Sequence, residues 1–184
     1  MIEKKGSTLV IIILIFLLSL MSGCTDSEEN NDGEDFEFTL LDGTIKHLSD
    51  YRGKVIILDM WATWCGPCAY QMQELRNIYD AYDRNDLEII SLNVDPRENS
   101  QIVNDFIEAF KNQYGIELDW IFGQDDGSVW EEYKMVSGGI PTLYMFDQKG
   151  RIHFSHEGVA FFSEIPQGLP DDSVILKPKI DELI

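Results

Sequence analysis

Two of the three cysteines in this 184-residue chain stand two residues apart, in Cys65-Gly66-Pro67-Cys68. Thiols at that spacing can close a small disulfide, and a helix starting there turns unpaired N–H groups and a positive dipole end toward a thiolate. Cysteines so placed have pKa values lowered to about 3.5 to 7.5, which leaves a reactive thiolate at neutral pH. Cys65 is the expected nucleophile. It attacks a partner's disulfide to give a mixed disulfide, and Cys68, one turn on and more buried, then displaces the product. Pro67 starts the helix and Gly66 lets a substrate backbone approach. No cofactor is expected, because the Cys65–Cys68 pair itself carries the electrons. The competing chemistry is half of a zinc site, which needs two more ligands; only Cys24, His47, His153 and His156 remain, and no second paired-ligand motif is present.

The surrounding pattern shows what must hold this pair. Val55-Ile56-Ile57-Leu58 is a continuous apolar run, the mark of a central strand buried on both faces, and it leads straight into the cysteines. After Cys68, Met72, Leu75, Tyr79 and Tyr82 recur at helical spacing. Leu87 to Val94 reads as a second strand. Ser100 is placed to cap a helix whose face is Ile102, Val103, Phe106, Ile107, Phe110 and Tyr114, with Gly115 as its stop. Upstream, Phe36 to Leu40 and Thr44 to Leu48 flank the turn signal Asp42-Gly43, a β-hairpin. Downstream, Trp120 to Phe122 reads as a short strand and Ser128 to Val136 as a short helix. Thr142 to Phe146 and Arg151 to Ser155 form a second hairpin, and Pro178 suits the first turn of a last helix ending at Ile184. This order implies an α/β fold, a mixed central sheet with helices on both faces.

The N-terminal 23 residues read differently. Lys4 and Lys5 precede an apolar run of twelve, Leu9 to Leu20, with only Ser19 polar, and then come Ser22, Gly23 and Cys24. That run is shorter than the roughly 18 to 20 residues that span a bilayer comfortably, and it fits a signal peptide better. Ser22-Gly23 directly before a cysteine resembles the lipobox of prokaryotic lipoproteins, which implies that Cys24 is a lipid anchor and the mature N-terminus. An uncleaved signal anchor is the alternative. Residues 24–35 then form an acidic tether with no large apolar side chain, and residues 36–184 form the folded domain. Lys4 and Lys5 against Glu3 give the first 23 residues a net +1, so of the formal net charge of −19 the rest of the chain carries −20. A surface that acidic repels phosphate backbones and anionic headgroups, which argues against nucleic-acid partners. Export places the chain where disulfides form and persist.

Two segments carry a family resemblance. Leu58-Asp59-Met60-Trp61-Ala62-Thr63-Trp64-Cys65-Gly66-Pro67-Cys68 resembles the active-site segment of thioredoxins, and Gly138-Gly139-Ile140-Pro141-Thr142-Leu143-Tyr144-Met145-Phe146 resembles their cis-proline segment. Phe36 to Gly43 followed by Leu48 to Lys54 is similar to the N-terminal hairpin of the TlpA/ResA-like branch, and Glu98 to Asp126 to its central insertion. The resemblance covers about residues 36 to 184. It implies a thioredoxin-like fold, a cis Ile140-Pro141 bond beside the cysteines, and substrate main chain pairing with Ile140. It also implies reduction of disulfides in exported proteins, for example cytochrome c precursors, with electrons from a membrane donor. Asp59, six residues before Cys65, matches the buried aspartate of thioredoxins that moves protons to and from the resolving cysteine. Ser91 stands where their partner lysine would be, so desolvation is expected to push the Asp59 pKa upward. Trp64 is expected to be a substrate platform, Trp61 a packing residue, and Trp120 and Trp130 core residues. A monomer is expected.

Two other functions compete. A disulfide oxidase or isomerase would use the same residues, and the potential of the pair separates it from a reductase. A non-enzymatic lipoprotein that uses the fold to bind a partner would fail to reduce a small-molecule disulfide. A peroxidase would need a lone peroxidatic cysteine in another context.

Overall fold

The computed structural model describes residues 35–170 and 173–184; the signal segment, Cys24 and the tether up to residue 34 lie outside the described residues. The hairpin is formed by β1 (Glu37–Leu40) and β2 (Ile45–His47), with the Thr44 N–H donating to the Asp42 carboxylate across the turn. After a 3-10 turn at Leu48–Tyr51 comes β3 (Val55–Trp61), buried along its whole length. Then follow α1 (Gly66–Ala81), β4 (Leu87–Asn93), α2 (Ser100–Tyr114), β5 (Ile121–Gln124), α3 (Ser128–Tyr133), β6 (Thr142–Phe146), β7 (Ile152–Glu157) and α4 (Lys177–Asp181).

The strands lie in one mixed sheet in the order β2-β1-β5-β4-β3-β6-β7. β3 is central, parallel to β4 and antiparallel to β6. Successive side chains of a strand point to opposite faces, and β3 divides accordingly. Val55, Ile57 and Trp61 join Met72, Leu75 and Ile78 of α1, Val103 and Phe110 of α2 and Ile180 of α4 in one core layer. Ile56, Leu58 and Met60 join Phe36 and Phe38 of the hairpin region and Val129 and Tyr133 of α3 in the other. Helices therefore cover both faces. By the same alternation Asp59 belongs to the series that faces α1.

The hairpin reaches the sheet through β5, where Leu40 pairs with Gly123. A Cβ on Gly123 would lie 2.7 Å from the Phe38 ring and 3.1 Å from the Thr39 carbonyl, so this close approach needs glycine.

Several local expectations shift. Asn99, not Ser100, caps α2: its side chain accepts the Ile102 N–H, while the Ser100 hydroxyl donates to Gln124 in β5. The apolar face of α2 is wider than its contact with the sheet, so Ile102 and Tyr114 are exposed while Val103 and Phe110 are buried. α3 ends at Tyr133 instead of Val136, because Lys134 turns extended and Val136 has nothing to pack against. The last helix likewise ends early, at Asp181. Trp130 is half-buried and lines a surface groove. No helix of the described residues is long and apolar enough to cross a membrane.

Candidate active site

β3 ends at Trp61, and Ala62-Thr63-Trp64 carries the chain to Cys65, the N-cap of α1. The Cys65 Sγ accepts the Cys68 backbone N–H at 3.1 Å, taking the place that a capping oxygen usually fills. Pro67 sits in the first turn, where a missing N–H has no intrahelical role to lose. Cys65 and Cys68 form a disulfide. Cys65 keeps 5% of its surface exposed and Cys68 none, so an incoming sulfur meets Cys65 first.

Pairing of β3 with β6 brings a distant segment against this cap. The Ile140-Pro141 bond is cis, and the Ile140 carbonyl oxygen lies 3.6 Å from the Cys65 Sγ. The approach is held from behind: the Thr142 hydroxyl donates to the Gly139 carbonyl, the Gly139 N–H donates to Glu157, and the Gly158 N–H donates to the Pro141 carbonyl. On the helix side, Gln71 accepts the Ala160 N–H and Glu74 the Phe162 N–H, tying α1 to the chain beyond β7.

Asp59 is fully buried on β3, directly opposite Ser91 of β4. The Ser91 hydroxyl donates to Asp59 Oδ2 at 3.0 Å, and Oδ1 has no hydrogen-bond partner among the described residues. Burial disfavours the charged form and pushes its pKa up to about 7, against the smaller opposing effect of the Ser91 hydrogen bond. Ser91 thus occupies the place where a lysine was missing, and the upward direction expected from that absence is the one found.

Trp64 is 63% exposed beside Cys65, and its indole N–H donates to Asp95 Oδ2 at 2.7 Å. The Arg97 side chain and backbone N–H also bind Asp95, and these contacts hold its carboxyl well below the usual carboxylate range. Trp64, Val94, Pro96, Trp130, Gly138 and Ile140 wall a groove of about 340 Å³ next to the disulfide. Glu98 accepts from the Thr63 N–H, the Thr63 hydroxyl and the Asn93 side-chain amide, which clamps the loop before Cys65 to the end of β4. Asp95 and Glu98 had no signal in the sequence, because their partners lie 31 and 35 residues away and no periodicity links them. Among the described residues no group of three or more His, Cys, Asp or Glu side chains is placed to hold a metal ion.

Residues 30–155, which include both the cysteine pair and the cis-proline segment, match the AhpC/TSA family. The chain belongs to the AhpC/TSA family. Among curated relatives of this AhpC/TSA-family chain, the thiol-disulfide oxidoreductase ResA of Geobacillus thermodenitrificans is 30% identical over 136 residues, covering 73% of this chain and 72% of its own. Among solved structures, StoA from Bacillus subtilis matches with a TM-score of 0.55 at 27% identity, over 70% of this chain and 90% of its own. The pneumococcal exposed lipoprotein thioredoxin from Streptococcus pneumoniae matches with a TM-score of 0.56 at 25% identity, over 82% of this chain and 100% of its own. The fold is thioredoxin-like, and the protein is a thiol-disulfide oxidoreductase.

Proposed function

We propose that the protein is an exported, lipid-tethered reductant of disulfides in other exported proteins, cytochrome c precursors among the candidate substrates. The observation that carries this reading is the cap of α1. Cys65, the less buried of the pair, accepts the Cys68 N–H on its sulfur and lies beside the Ile140 carbonyl. When the pair is reduced, a Cys65 thiolate there is stabilised by the same N–H and by the helix dipole.

In the proposed cycle the Cys65 thiolate attacks one sulfur of a substrate disulfide. A Cys65–substrate disulfide forms, and the other substrate sulfur leaves as a thiolate that takes up a proton. Cys68 gives its proton to Asp59 and attacks Cys65; the substrate's second thiolate leaves, and the Cys65–Cys68 disulfide forms. Two electrons have passed to the substrate, and a dithiol of a membrane donor restores the pair. The substrate segment lies extended along Ile140, a pairing that recognises main chain, and the groove walled by Trp64, Pro96 and Trp130 takes a neighbouring apolar side chain.

The direction of electron flow is tested by equilibrating the Cys65–Cys68 pair against redox buffers. A reductase should titrate near the potential of thioredoxin, about −270 mV; a value near the about −120 mV of strong oxidants would assign the oxidase reading instead.

Tethering by Cys24 is supported by the short apolar run and the small residues before it. The solved relative described as an exposed lipoprotein adds to that support. Mass spectrometry of the membrane-bound protein should find a chain that begins at a diacylated Cys24. An intact N-terminal Met1 on that fraction would remove the lipid anchor from this reading.

A further inference from the structure

Asp59 is one end of a chain of three buried polar groups. Trp120, directly before β5, donates its indole N–H to Ser91 Oγ at 3.0 Å, and the Ser91 hydroxyl donates to Asp59 Oδ2 at 3.0 Å. Asp59 and Ser91 are fully buried and Trp120 retains 7% exposure. An indole N–H can only donate, and a serine hydroxyl has a single hydrogen. The direction of the chain is therefore imposed from its far end: Ser91 must accept from Trp120 and has its own hydrogen left for Asp59.

We infer that Trp120 and Ser91 are positioning residues for proton exchange at the disulfide, holding Asp59 Oδ2 as an acceptor so that the proton is taken up and released at Oδ1. Oδ1 is the oxygen without a partner among the described residues, and strand alternation puts the Asp59 side chain on the side of β3 that faces α1, the helix that carries Cys68. The Trp120 ring is kept in place by Tyr79 of α1, with centroids 5.7 Å apart, and by Phe122, at 5.6 Å. It cannot swing away without opening the core.

Among the described residues no charged side chain competes for control of this acid. β4 presents Ser91, β6 presents the register partner Leu143, and α2 contributes Val103 and Phe110 to this layer. From α1 the buried side chains are Cys68, the neutral Gln71 and the apolar Met72, Leu75 and Ile78, while Glu74 is turned to the Phe162 N–H. Burial and the Ser91 hydrogen bond are the two influences on its proton affinity. An indole N–H polarises the hydroxyl it binds and strengthens that hydroxyl's own donation. The lost donor of either residue should then be felt at Asp59, although Trp120 does not touch it.

The inference rests on Asp59 being the proton-exchanging acid of the proposed cycle, and a direct titration of Asp59 tests it apart from activity. The carboxyl carbon of Asp59, labelled with carbon-13 and assigned by its loss in Asp59→Asn, is followed by NMR against pH in the oxidised protein. Ser91→Ala should raise the midpoint by about one pH unit, the scale of one hydrogen bond to a charged group. Trp120→Phe should raise it in the same direction by less, and Ser91→Thr should leave it near the parent. A purely structural role would lower thermal stability in Trp120→Phe and leave the midpoint in place, and that result overturns the relay. Ser91→Ala, close in shape to the parent, decides the matter by itself if Trp120→Phe does not fold. An unmoved midpoint beside slow turnover in Asp59→Asn ends the relay and spares the proton role. Shifted midpoints beside normal turnover in Asp59→Asn leave the hydrogen-bond chain standing but end the proton role, and with it the inferred positioning role.

Discussion

Cys68→Ser should stop the reaction at its intermediate: proteins disulfide-linked to Cys65 accumulate, and multiple turnover falls by at least about a hundredfold, since the two sulfurs act as a unit. Cys65→Ser should lose turnover to the same extent and trap nothing. The asymmetry follows from exposure and hydrogen bonding. Cys65 is the less buried of the two and has the Cys68 N–H to stabilise its thiolate, whereas Cys68 is fully shut inside the layer between β3 and α1. Serine keeps the size of either side chain, so the fold should survive both changes. Non-reducing electrophoresis of membrane fractions, followed by mass spectrometry of the trapped partners, reads the result and also names the substrates. Adducts on Cys65→Ser and none on Cys68→Ser would reverse the assignment of attacking and resolving residue.

Asp59→Asn should produce the second large effect, in opposite directions on rate and stability. The Asp59 carboxyl titrates near 3.9 in an unfolded chain and at about 7 in the fold. Between those values the folded protein holds a proton that the unfolded chain has released. The parent therefore loses stability as pH rises from about 4 to about 7, by at most about 4 kcal/mol, and stays at the lower level above that. Asparagine cannot ionise, so the variant lacks this decline. Its side chain still offers Ser91 an oxygen, and its amide takes the place of the partnerless Oδ1, as the neutral acid's own hydrogen does at low pH. Urea unfolding should find the two proteins alike near pH 4 and the variant more stable by pH 8. Reduction of insulin disulfides near neutral pH should slow by about ten- to a hundredfold, because the proposed acceptor of the Cys68 proton is gone. A variant that is less stable at pH 8 and as fast as the parent would leave Asp59 as a packing residue.

The signals legible without a structure were local. A run of β-branched and apolar residues from Val55 to Leu58 marks a strand covered on both sides, and the spacing of Met72 and Leu75 after Cys68 marks a helix. Cys65-Gly66-Pro67-Cys68 between them already placed the sulfurs at a helix N-terminus. Asp42-Gly43 marked the hairpin and Gly115 the end of α2, because turn and cap geometry depend on a few neighbouring residues. The acid in the central strand was visible too, and so was the absence of a cation opposite it.

What joins residues far apart in the chain was decided by tertiary structure. The contact of Ile140 with Cys65 depends on the register of β3 and β6, and the clamp of Glu98 on Thr63 on where the turn after β4 points. Asn99 displaced Ser100 as a cap because β5 brought Gln124 to the serine hydroxyl. Trp130, expected in the core, packs against the core from its edge and lines the groove with its other side. The link from Trp120 to Ser91 has no trace in the sequence, since hydrogen-bonding groups on separate segments follow no period. Their partnership exists because folding removes water from all of them at once, and a buried polar group must then take whichever partner the packed core places beside it.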